Sequence, residues 1–422
     1  MKQILNEMRQ QPLVSVINLI GTALAIFLIM VVVMLQQVRT APFAPESNRD
    51  RMLHWRYMSI RHSSWGEDAS SNGPMSYATF KELFKPLTTP EAVTAYKPYP
   101  EKHSAALPGE PAISINVRDT DADFFKVFDF TFVEGAPFSQ ADFEAGIPEI
   151  VISDKVARSL FKTTDGVVGR ELMLDMTPYK VVGVVKEVNR LASRSYSDAW
   201  VPFTTTGLDT YNWTDNHMGY LSATILAKDR GDFDAVRAEI DRQYATVNSR
   251  MKNAEGYEFI RRGRPYDQEA EMAAAYANIE PDVKGERRSR YIVYAILILV
   301  PAINLSSMTR SRLRKRTAEI GVRRAFGATS GRIALTLIYE NMLVTLAAGA
   351  IGLILCLLFA WLCAPYLFHV PASTMSVGML VQLSTFGLAL GFCFILNLLC
   401  SAWPAWKSSR ESIVESLAGN NR

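Results

Sequence analysis

The sequence predicts an α-helical membrane protein with four transmembrane helices and a large α+β extracytoplasmic domain inserted between the first and second helices. Three observations support this fold class. Four apolar stretches have about the length that a helix needs to cross a bilayer. About 250 residues of ordinary globular composition separate the first stretch from the second. A basic stretch, residues 309–332, carries eight lysines and arginines but only one acid, and lies between the second and third apolar stretches.

The composition agrees with this mixture of membrane helices and a polar domain. The chain has 422 residues, a formal net charge of +3 and a mean hydropathy of +0.05, which is high for a soluble protein and low for one made only of membrane helices. Basic residues cluster beside the apolar stretches, so a lipid bilayer is a predicted partner and nucleic acid is not. All four cysteines lie within or beside the last two apolar stretches, so residues 37–290 hold neither a disulfide framework nor a cysteine zinc site.

The order of these stretches, and the rule that short basic loops stay in the cytoplasm, predict the organisation of the chain. The predicted segments are a cytoplasmic N-terminus (1–12), a first transmembrane helix (13–36), the extracytoplasmic domain (37–290, two α+β subdomains with a helical stalk over 267–290), a second helix (291–308), a cytoplasmic loop (309–332), a third helix (333–363), a short outer loop (364–376), a fourth helix (377–402) and a cytoplasmic tail (403–422). A cleaved signal peptide is the competing interpretation of the first stretch, but its apolar run is longer than usual and further spans follow.

Local patterns inside the large domain predict alternating helices and strands. The predicted helices are one from the cap Ser76 to Phe84, a short one opened by Asp121, Asp154–Phe161 capped by Ser153, and an amphipathic helix over 233–247. The predicted strands are 113–117, 149–152, 171–174, 179–185, 199–203 and 220–227, with a turn near Pro178. The two subdomains are expected to join near residues 205–220.

Motifs of common active sites are absent from the sequence. It contains no Gly-x-x-x-x-Gly-Lys-Ser/Thr phosphate loop, no His-Glu-x-x-His and no Gly-x-Ser-x-Gly. The histidines are scattered without ligand spacing, and unpaired surface positions are expected for them, although His54 and His62 could meet in space. We therefore predict no catalytic residue, no directly bound cofactor, no metal site and no enzyme activity.

Five residues in the apolar stretches are candidate kink or packing positions. Pro301 is expected to kink the second helix, and Asn304 needs a polar partner inside the helix bundle. Glu340, near the cytoplasmic end of the third helix, is equally a functional group or a charge that pairs with the basic loop. Gly387 and Gly391 form a Gly-x-x-x-Gly pattern that allows close helix approach, and packing within the bundle is the favoured interpretation.

Residues 309–332 also have the pattern of an amphipathic helix. Val322 and Phe326 lie one turn apart, and Gly327 stands where a helix would end. Charge alone favours a solvated loop that only fixes topology. The ordered apolar residues and the glycine stop favour instead a helix that lies on the inner membrane face and docks a cytosolic partner.

Ten residues in this loop resemble the signature of FtsX-type permeases, the membrane subunits of ABC transporters typified by MacB and LolC. They are Glu319, Ile320, Gly321, Val322, Arg323, Arg324, Ala325, Phe326, Gly327 and Ala328. The likeness extends to VINLIGTALAIF in the first stretch, to DADFFKVFDFTFVEGAPFS, EIVISDKVARSLF, GVVGRELML and YKVVGVVKEV in the large domain, and to PAWKSSRESIVESL in the tail, where Ile413 replaces a common proline. It implies a MacB-like periplasmic core domain in a bacterial inner-membrane protein with both termini in the cytoplasm.

The resemblance also implies how such a protein works. In this family the loop docks into a separate cytoplasmic ABC ATPase subunit, which binds ATP with Mg²⁺. ATP binding draws two permeases together, either two copies or a permease and a paralogue, and the motion passes to the periplasmic domain. Further partners implied for an exporter are a HlyD-like periplasmic adaptor and an outer-membrane exit duct.

Two functions stay open on the sequence, and a third is disfavoured. Export or extraction of a periplasmic cargo, such as a drug, peptide, toxin or lipoprotein, is favoured because the domain is large. The alternative is a signalling or regulatory complex that controls a cell-wall hydrolase or senses antimicrobial peptides. A membrane-anchored enzyme is the weakest hypothesis because the sequence offers no catalytic constellation.

Overall fold

The computed structural model describes residues 12–66, 69–315, 322, 326–368, 387, 391 and 394–395. The chain forms two compact units: one contains Arg39–Lys284, and the other contains the long helices outside that range. The helices are α1 (Pro12–Thr40), α2 (Tyr77–Leu83), α3 (Phe124–Val127), α4 (Gln140–Ala145), α5 (Asp154–Phe161), α6 (Phe233–Ala254), α7 (Gln268–Ala273), α8 (Val283–Lys315) and α9 (Ser330–Phe368). The strands are β1 (Met52–Trp55), β2 (Met58–His62), β3 (Ser71–Gly73), β4 (Ala92–Tyr96), β5 (Glu101–Ala106), β6 (Ile113–Thr120), β7 (Phe132–Gly135), β8 (Glu149–Ser153), β9 (Glu171–Leu174), β10 (Thr177–Val185), β11 (Ala199–Pro202), β12 (Ser222–Leu226) and β13 (Tyr257–Ile260).

Two predicted helix starts in the large domain are confirmed at the level of their caps. The Ser76 hydroxyl accepts a hydrogen bond from the Thr79 amide at 3.1 Å, and the Ser153 hydroxyl accepts one from the Val156 amide at 3.3 Å. Each bond satisfies an amide that has no partner within its own helix. These short-range contacts explain why α2 and α5 begin where the sequence predicts.

Most strands of the large domain belong to one continuous sheet. Its order is β1-β12-β4-β6-β11-β8-β10-β9-β5, and β7 pairs with β10. Strand β5 also pairs with β6, so that β6, β11, β8, β10, β9 and β5 close into a six-stranded barrel. A smaller sheet has the order β13-β2-β3.

Two separate hydrophobic clusters fill the domain. The first lies inside the barrel and contains mainly aliphatic side chains, among them Ile150, Ile152 and Val181. The second contains many aromatic side chains and packs α2 and α6 against β1, where the Trp55 ring lies 5.4 Å from Phe84 and 6.2 Å from Tyr244. We call the part of the domain outside the barrel the open half, comprising β1–β4, β12, β13, α2, α3 and α6.

Two local predictions are corrected by the structure. Asp121 does not open a helix: its carboxylate accepts hydrogen bonds from Thr94 and Ala95 of β4, and the short helix begins at Phe124. The turn near Pro178 lies instead at Asp175 and Met176, because Pro178 pairs with Met173 inside the hairpin.

The predicted stalk over 267–290 is only partly helical. It is helical over Gln268–Ala273 and again from Val283 onward. The break between them contains Pro281, whose ring cannot continue a helix ladder. Helix α8 then runs without interruption past the predicted domain boundary at residue 290.

The unit of long helices holds α1 packed against α9. Ala23 and Ile26 of α1 form a buried cluster with Ala348 and Cys356 of α9. A Cβ at Gly352 would lie 3.1 Å from the Ala23 carbonyl oxygen, so the missing side chain at this glycine allows the helices to approach closely.

Within the described residues, one helical stretch, Met342–Leu362, is long and apolar enough to cross a membrane, and Leu19–Leu35 is a shorter apolar helical stretch. Nearly all of the predicted fourth helix, 377–402, lies outside the described residues. The count of four transmembrane helices therefore stays a prediction.

Candidate functional site

The predicted coupling segment is described at Val322 and from Phe326 onward. The Phe326 amide donates to the Val322 carbonyl at 3.1 Å, which closes one helical turn. Gly327 follows with φ +89°, the left-handed conformation in which helices commonly end, and the predicted stop is confirmed. The remaining predicted coupling residues before Ala328 lie outside the described residues: Glu319, Ile320, Gly321, Arg323, Arg324 and Ala325.

This turn presents an aromatic side chain to its surroundings. Phe326 is 89% exposed, and Val322, one turn earlier, is 46% exposed. Helix α9 begins three residues after Gly327, so the turn is tied directly to a long apolar helix. An exposed aromatic ring on a fixed turn can serve as an anchor that inserts into a partner's pocket.

The predicted kink and packing residues in the apolar helices receive little description. Pro301 lies inside the uninterrupted helix α8, while the side chains of Asn304 and Glu340 lie outside what the structure describes. No described atom lies within 4 Å of a Cβ built at Gly387 or Gly391. Their roles stay predictions, and the close helix contact that the structure does describe is at Gly352.

The four described histidines all have polar partners, so the expectation of unpaired surface positions is wrong. His54 is buried and contacts Gln268 at 3.1 Å, whereas the imidazole of His217 lies 2.8 Å from the Glu255 carboxylate. His62 contacts the carbonyl of Glu255 and His103 contacts Asp175. Within the part of the chain that the structure describes, no three His, Cys, Asp or Glu side chains are grouped to hold a metal ion.

A buried ion pair lies just after α1 and was not predicted from the sequence. Glu46 and Arg49 are 1% and 2% exposed, and the Arg49 guanidinium lies 2.7 Å from the Glu46 carboxylate. Burial alone would raise the pKa of Glu46, but the charges of Arg49 and Arg194 and the donors around the carboxylate outweigh it, so the pKa lies below its usual value. Glu46 is therefore ionised and acts as a fixed negative centre at this end of the domain.

The sequence carries no local signal for this centre. Glu46 accepts a hydrogen bond from the amide of Arg194, which is 148 positions away in the chain. Neither residue belongs to a motif, and both look like ordinary surface charges until the fold brings them together. Only the long-range pairing reveals the site.

Apolar helices on either side of a large α+β domain, with an exposed turn before the third predicted helix, are typical of a membrane permease with an inserted extracytoplasmic domain. Two family models match the chain: the MacB-like periplasmic core domain over residues 15–243 and the FtsX-like permease C-terminal region over residues 291–413. The chain therefore belongs to the MacB/FtsX family of ABC-transporter permeases, and the large domain is a MacB-like periplasmic core domain.

Sequence matches to named proteins support the same family assignment. The chain is 25% identical over 311 residues to the macrolide export ATP-binding/permease protein MacB of Escherichia coli strain K12, which covers 72% of this chain and 44% of the relative. The MacB protein of Shigella flexneri matches with the same identity and coverage. The chain thus spans less than half the length of these relatives, and the match lies in their permease part.

Solved structures of related domains were also found. The extracellular domain of the noncanonic ABC-type transporter YknZ from Gram-positive bacteria is 18% identical, covers 48% of this chain and 99% of its own, and has a TM-score of 0.33. The periplasmic region of MacB from Actinobacillus actinomycetemcomitans is 15% identical, covers 49% of this chain and 88% of its own, and also has a TM-score of 0.33.

Proposed function

We propose that this protein transmits ATP-driven motion from a cytoplasmic ABC ATPase to its periplasmic domain, in order to export or extract a periplasmic cargo. ATP and Mg²⁺ are bound by the ATPase, and the permease works as a dimer with a second copy or a paralogue. The proposed topology has four transmembrane helices, with both termini and the 309–332 loop in the cytoplasm.

The observation that carries the proposal is the turn at Phe326. Its ring is 89% exposed and is followed at once by a glycine stop and by the start of α9. A ring that docks in the ATPase can push directly on the helix to which its turn is attached. The signature residues 319–328 and the family membership support this role for the loop.

Replacing Phe326 by Ala tests the docking role. We expect loss of most of the permease-stimulated ATP turnover when the full chain is reconstituted with its ATPase in lipid nanodiscs, because removal of an aromatic anchor costs about 2 kcal/mol or more of binding. Met176→Ala is the matched control, since Met176 is 87% exposed but belongs to the periplasmic domain. Full stimulation by the Phe326→Ala variant would contradict the proposal.

Cysteine labelling tests the topology. After replacement of the four native cysteines, a cysteine at Met176 should react with a membrane-impermeant reagent in intact cells, whereas a cysteine at Thr329 should react only after lysis. Both positions are exposed, so accessibility within the protein doesn't limit the reaction. The reverse pattern would overturn the orientation.

The partners that copurify in mild detergent separate export from signalling. An ATPase together with a HlyD-like adaptor and an outer-membrane duct supports export of a drug, peptide or toxin. Copurification of an ATPase together with a peptidoglycan hydrolase would contradict export and support the regulatory function.

A further inference from the structure

We infer that a buried ionic network holds both chain ends of the periplasmic domain, the one that follows α1 and the one that leads to α8, to one loop, residues 189–197, and that Arg194 is the positioning residue at its centre. We call residues 189–197 the joint loop. The inference rests on the proposed function, because it concerns how motion from the membrane helices enters the domain. It assigns a role to charged residues that neither the coupling turn nor the family signature explains.

The first chain end, which follows α1, is held to the joint loop through Glu46. One oxygen of the Glu46 carboxylate accepts hydrogen bonds from the amide of Arg194 at 2.8 Å, the amide of Ser195 at 3.0 Å and the Ser195 hydroxyl at 3.1 Å. Arg49 donates to the Leu191 carbonyl at 2.7 Å and to the Ala41 carbonyl at 3.1 Å. The residues that leave the first membrane helix are thereby bound to the joint loop from two sides.

The second chain end, which leads to α8, is held by the side chain of Arg194. Its guanidinium lies 3.4 Å from the Glu271 carboxylate and donates to the Gln268 side-chain oxygen at 3.4 Å. Glu271 is 2% exposed and also pairs with Arg56 at 3.2 Å. Arg194 thus contacts one chain end with its backbone and the other with its side chain.

Both carboxylates of this network are paired with guanidinium groups where water is excluded. Glu46, Arg49 and Glu271 are each no more than 2% exposed, and Arg194 is 13% exposed. Two carboxylates therefore face two guanidinium groups at low exposure. A buried charge without its partner is strongly unfavourable, so neither chain end can separate from the joint loop without a large cost.

The other side of the joint loop is fixed to the barrel by Arg118 of β6. This fully buried guanidinium donates to the carbonyls of Tyr196 at 2.9 Å and Ser193 at 3.1 Å, and to those of Lys97 at 2.7 Å and Pro98 at 2.9 Å. Burial lowers the pKa of Arg118 to about 10, so it still carries its charge at neutral pH. Both chain ends are therefore connected to the barrel through this loop, in addition to the continuous sheet β1-β12-β4-β6.

A rigid shared joint predicts a specific pattern of amide hydrogen exchange. In the full chain in detergent, Arg194→Met should raise exchange at least tenfold in residues 41–49, 189–197 and 267–274 together, and leave β8 and β10 unchanged. Arg190→Met is the matched control: it removes an exposed arginine of the same loop, whose guanidinium donates to the Tyr196 hydroxyl and lies over the Tyr196 ring. We expect no change in the two distant segments for the control variant.

A rise confined to residues 189–197 in Arg194→Met would overturn the inference. If Arg194→Met unfolds the domain, Arg194→Lys decides instead, because it keeps the charge but not the planar group. A smaller rise in the same three segments supports the shared joint, and a rise in the loop alone contradicts it. Exchange is measured without ATP or ATPase, so this result is independent of the Phe326 test and its failure is distinguishable from failure of the proposed function.

Discussion

The barrel and the open half of the periplasmic domain are stabilised in different ways. The barrel closes on itself and is filled with aliphatic side chains, and Phe161 and Tyr179 are the aromatic members of its buried cluster. The open half buries its sheet with aromatic rings, and Phe124 and Phe128 lie 4.7 Å apart in its cluster. It also contains the chain ends and the buried charges of Glu46 and Arg49.

The barrel is therefore stable through its own strand pairing, whereas the stability of the open half depends on contacts at its chain ends. A closed sheet has no free edge through which its own strands can be pulled apart. The open half, in contrast, depends on charges that keep the two chain ends together. We therefore expect barrel variants to change stability uniformly and variants of the charged centre to change it in a pH-dependent manner.

The largest effect is expected for Glu46→Ala. The change leaves Arg49 and the amides of Arg194 and Ser195 without their acceptor, which should lower the free energy of unfolding by about 3–5 kcal/mol. Denaturant unfolding followed by intrinsic tryptophan fluorescence measures it. Trp200 is one of the seven tryptophans, and its indole donates to the Ser195 carbonyl at 3.1 Å.

The pH dependence of this effect follows from the lowered pKa of Glu46. A carboxyl with a folded pKa below its ordinary value stabilises the protein above that value, 4.5, and loses the contribution as the pH falls through the folded pKa. Glu46→Ala should thus differ from wild type fully at pH 7 and less at pH 4. Equal differences at both values would contradict the ionised assignment.

A barrel variant, Ile152→Ala, provides the contrast. Ile152 is fully buried, and loss of its side chain should lower the free energy of unfolding by about 3 kcal/mol through lost burial and a cavity. No charge is involved, so the loss should be the same at pH 4 and pH 7 in the same unfolding experiment. A loss that depends strongly on pH would contradict the distinction between the barrel and the open half.

Asp121 gives the open half a second pH dependence, of the opposite sign. Burial raises its pKa to about 7, against 3.8 as the ordinary value, although Thr94 and Ala95 donate to it. Because the folded state binds the proton more tightly, its contribution to stability falls as the pH rises from 5 to 8, by about 2–3 kcal/mol. Thermal unfolding of Asp121→Asn should lack this part of the slope, and an unchanged slope would refute the assignment.

The smallest effect is expected at the tip of a barrel hairpin. Asp175 and Met176 have φ values of +44° and +70° in the two-residue turn between β9 and β10. An Asp-Gly turn suits this conformation, so Met176→Gly should stabilise the protein by about 0.5–1 kcal/mol. A higher Tm checks it, and Met176→Val, which suits the conformation less, should lower the Tm.

The sequence was sufficient where the determinants are local. The caps at Ser76 and Ser153 and the amphipathic helix α6 follow from neighbouring residues, and so does the glycine stop at Gly327. Strand β5 was missed because its residues 101–104 are polar or exposed and give no alternating apolar pattern. Barrel closure depends on that strand, because β5 pairs with both β6 and β9.

The residues of the candidate sites likewise divide into those that local sequence features predict and those that depend on long-range contacts. Phe326 and Gly327 were predicted because a helical turn and its stop are local features. Glu46, Arg194 and Glu271 could not be predicted, because their contacts join three distant parts of the chain. Asp121 was assigned to a helix start from its position, whereas tertiary hydrogen bonds to β4 determine its role.

The place of the barrel in the chain has a consequence for how the domain is connected. Strands β4 and β12 are antiparallel neighbours, paired from Ala92 with Leu226 to Tyr96 with Ser222, and the barrel strands all lie between them in the chain. A short hairpin loop could join the same two strands. The chain therefore leaves the open half after β4, forms the whole barrel and the joint loop, and returns at β12, so that the barrel is one continuous insertion between two paired strands.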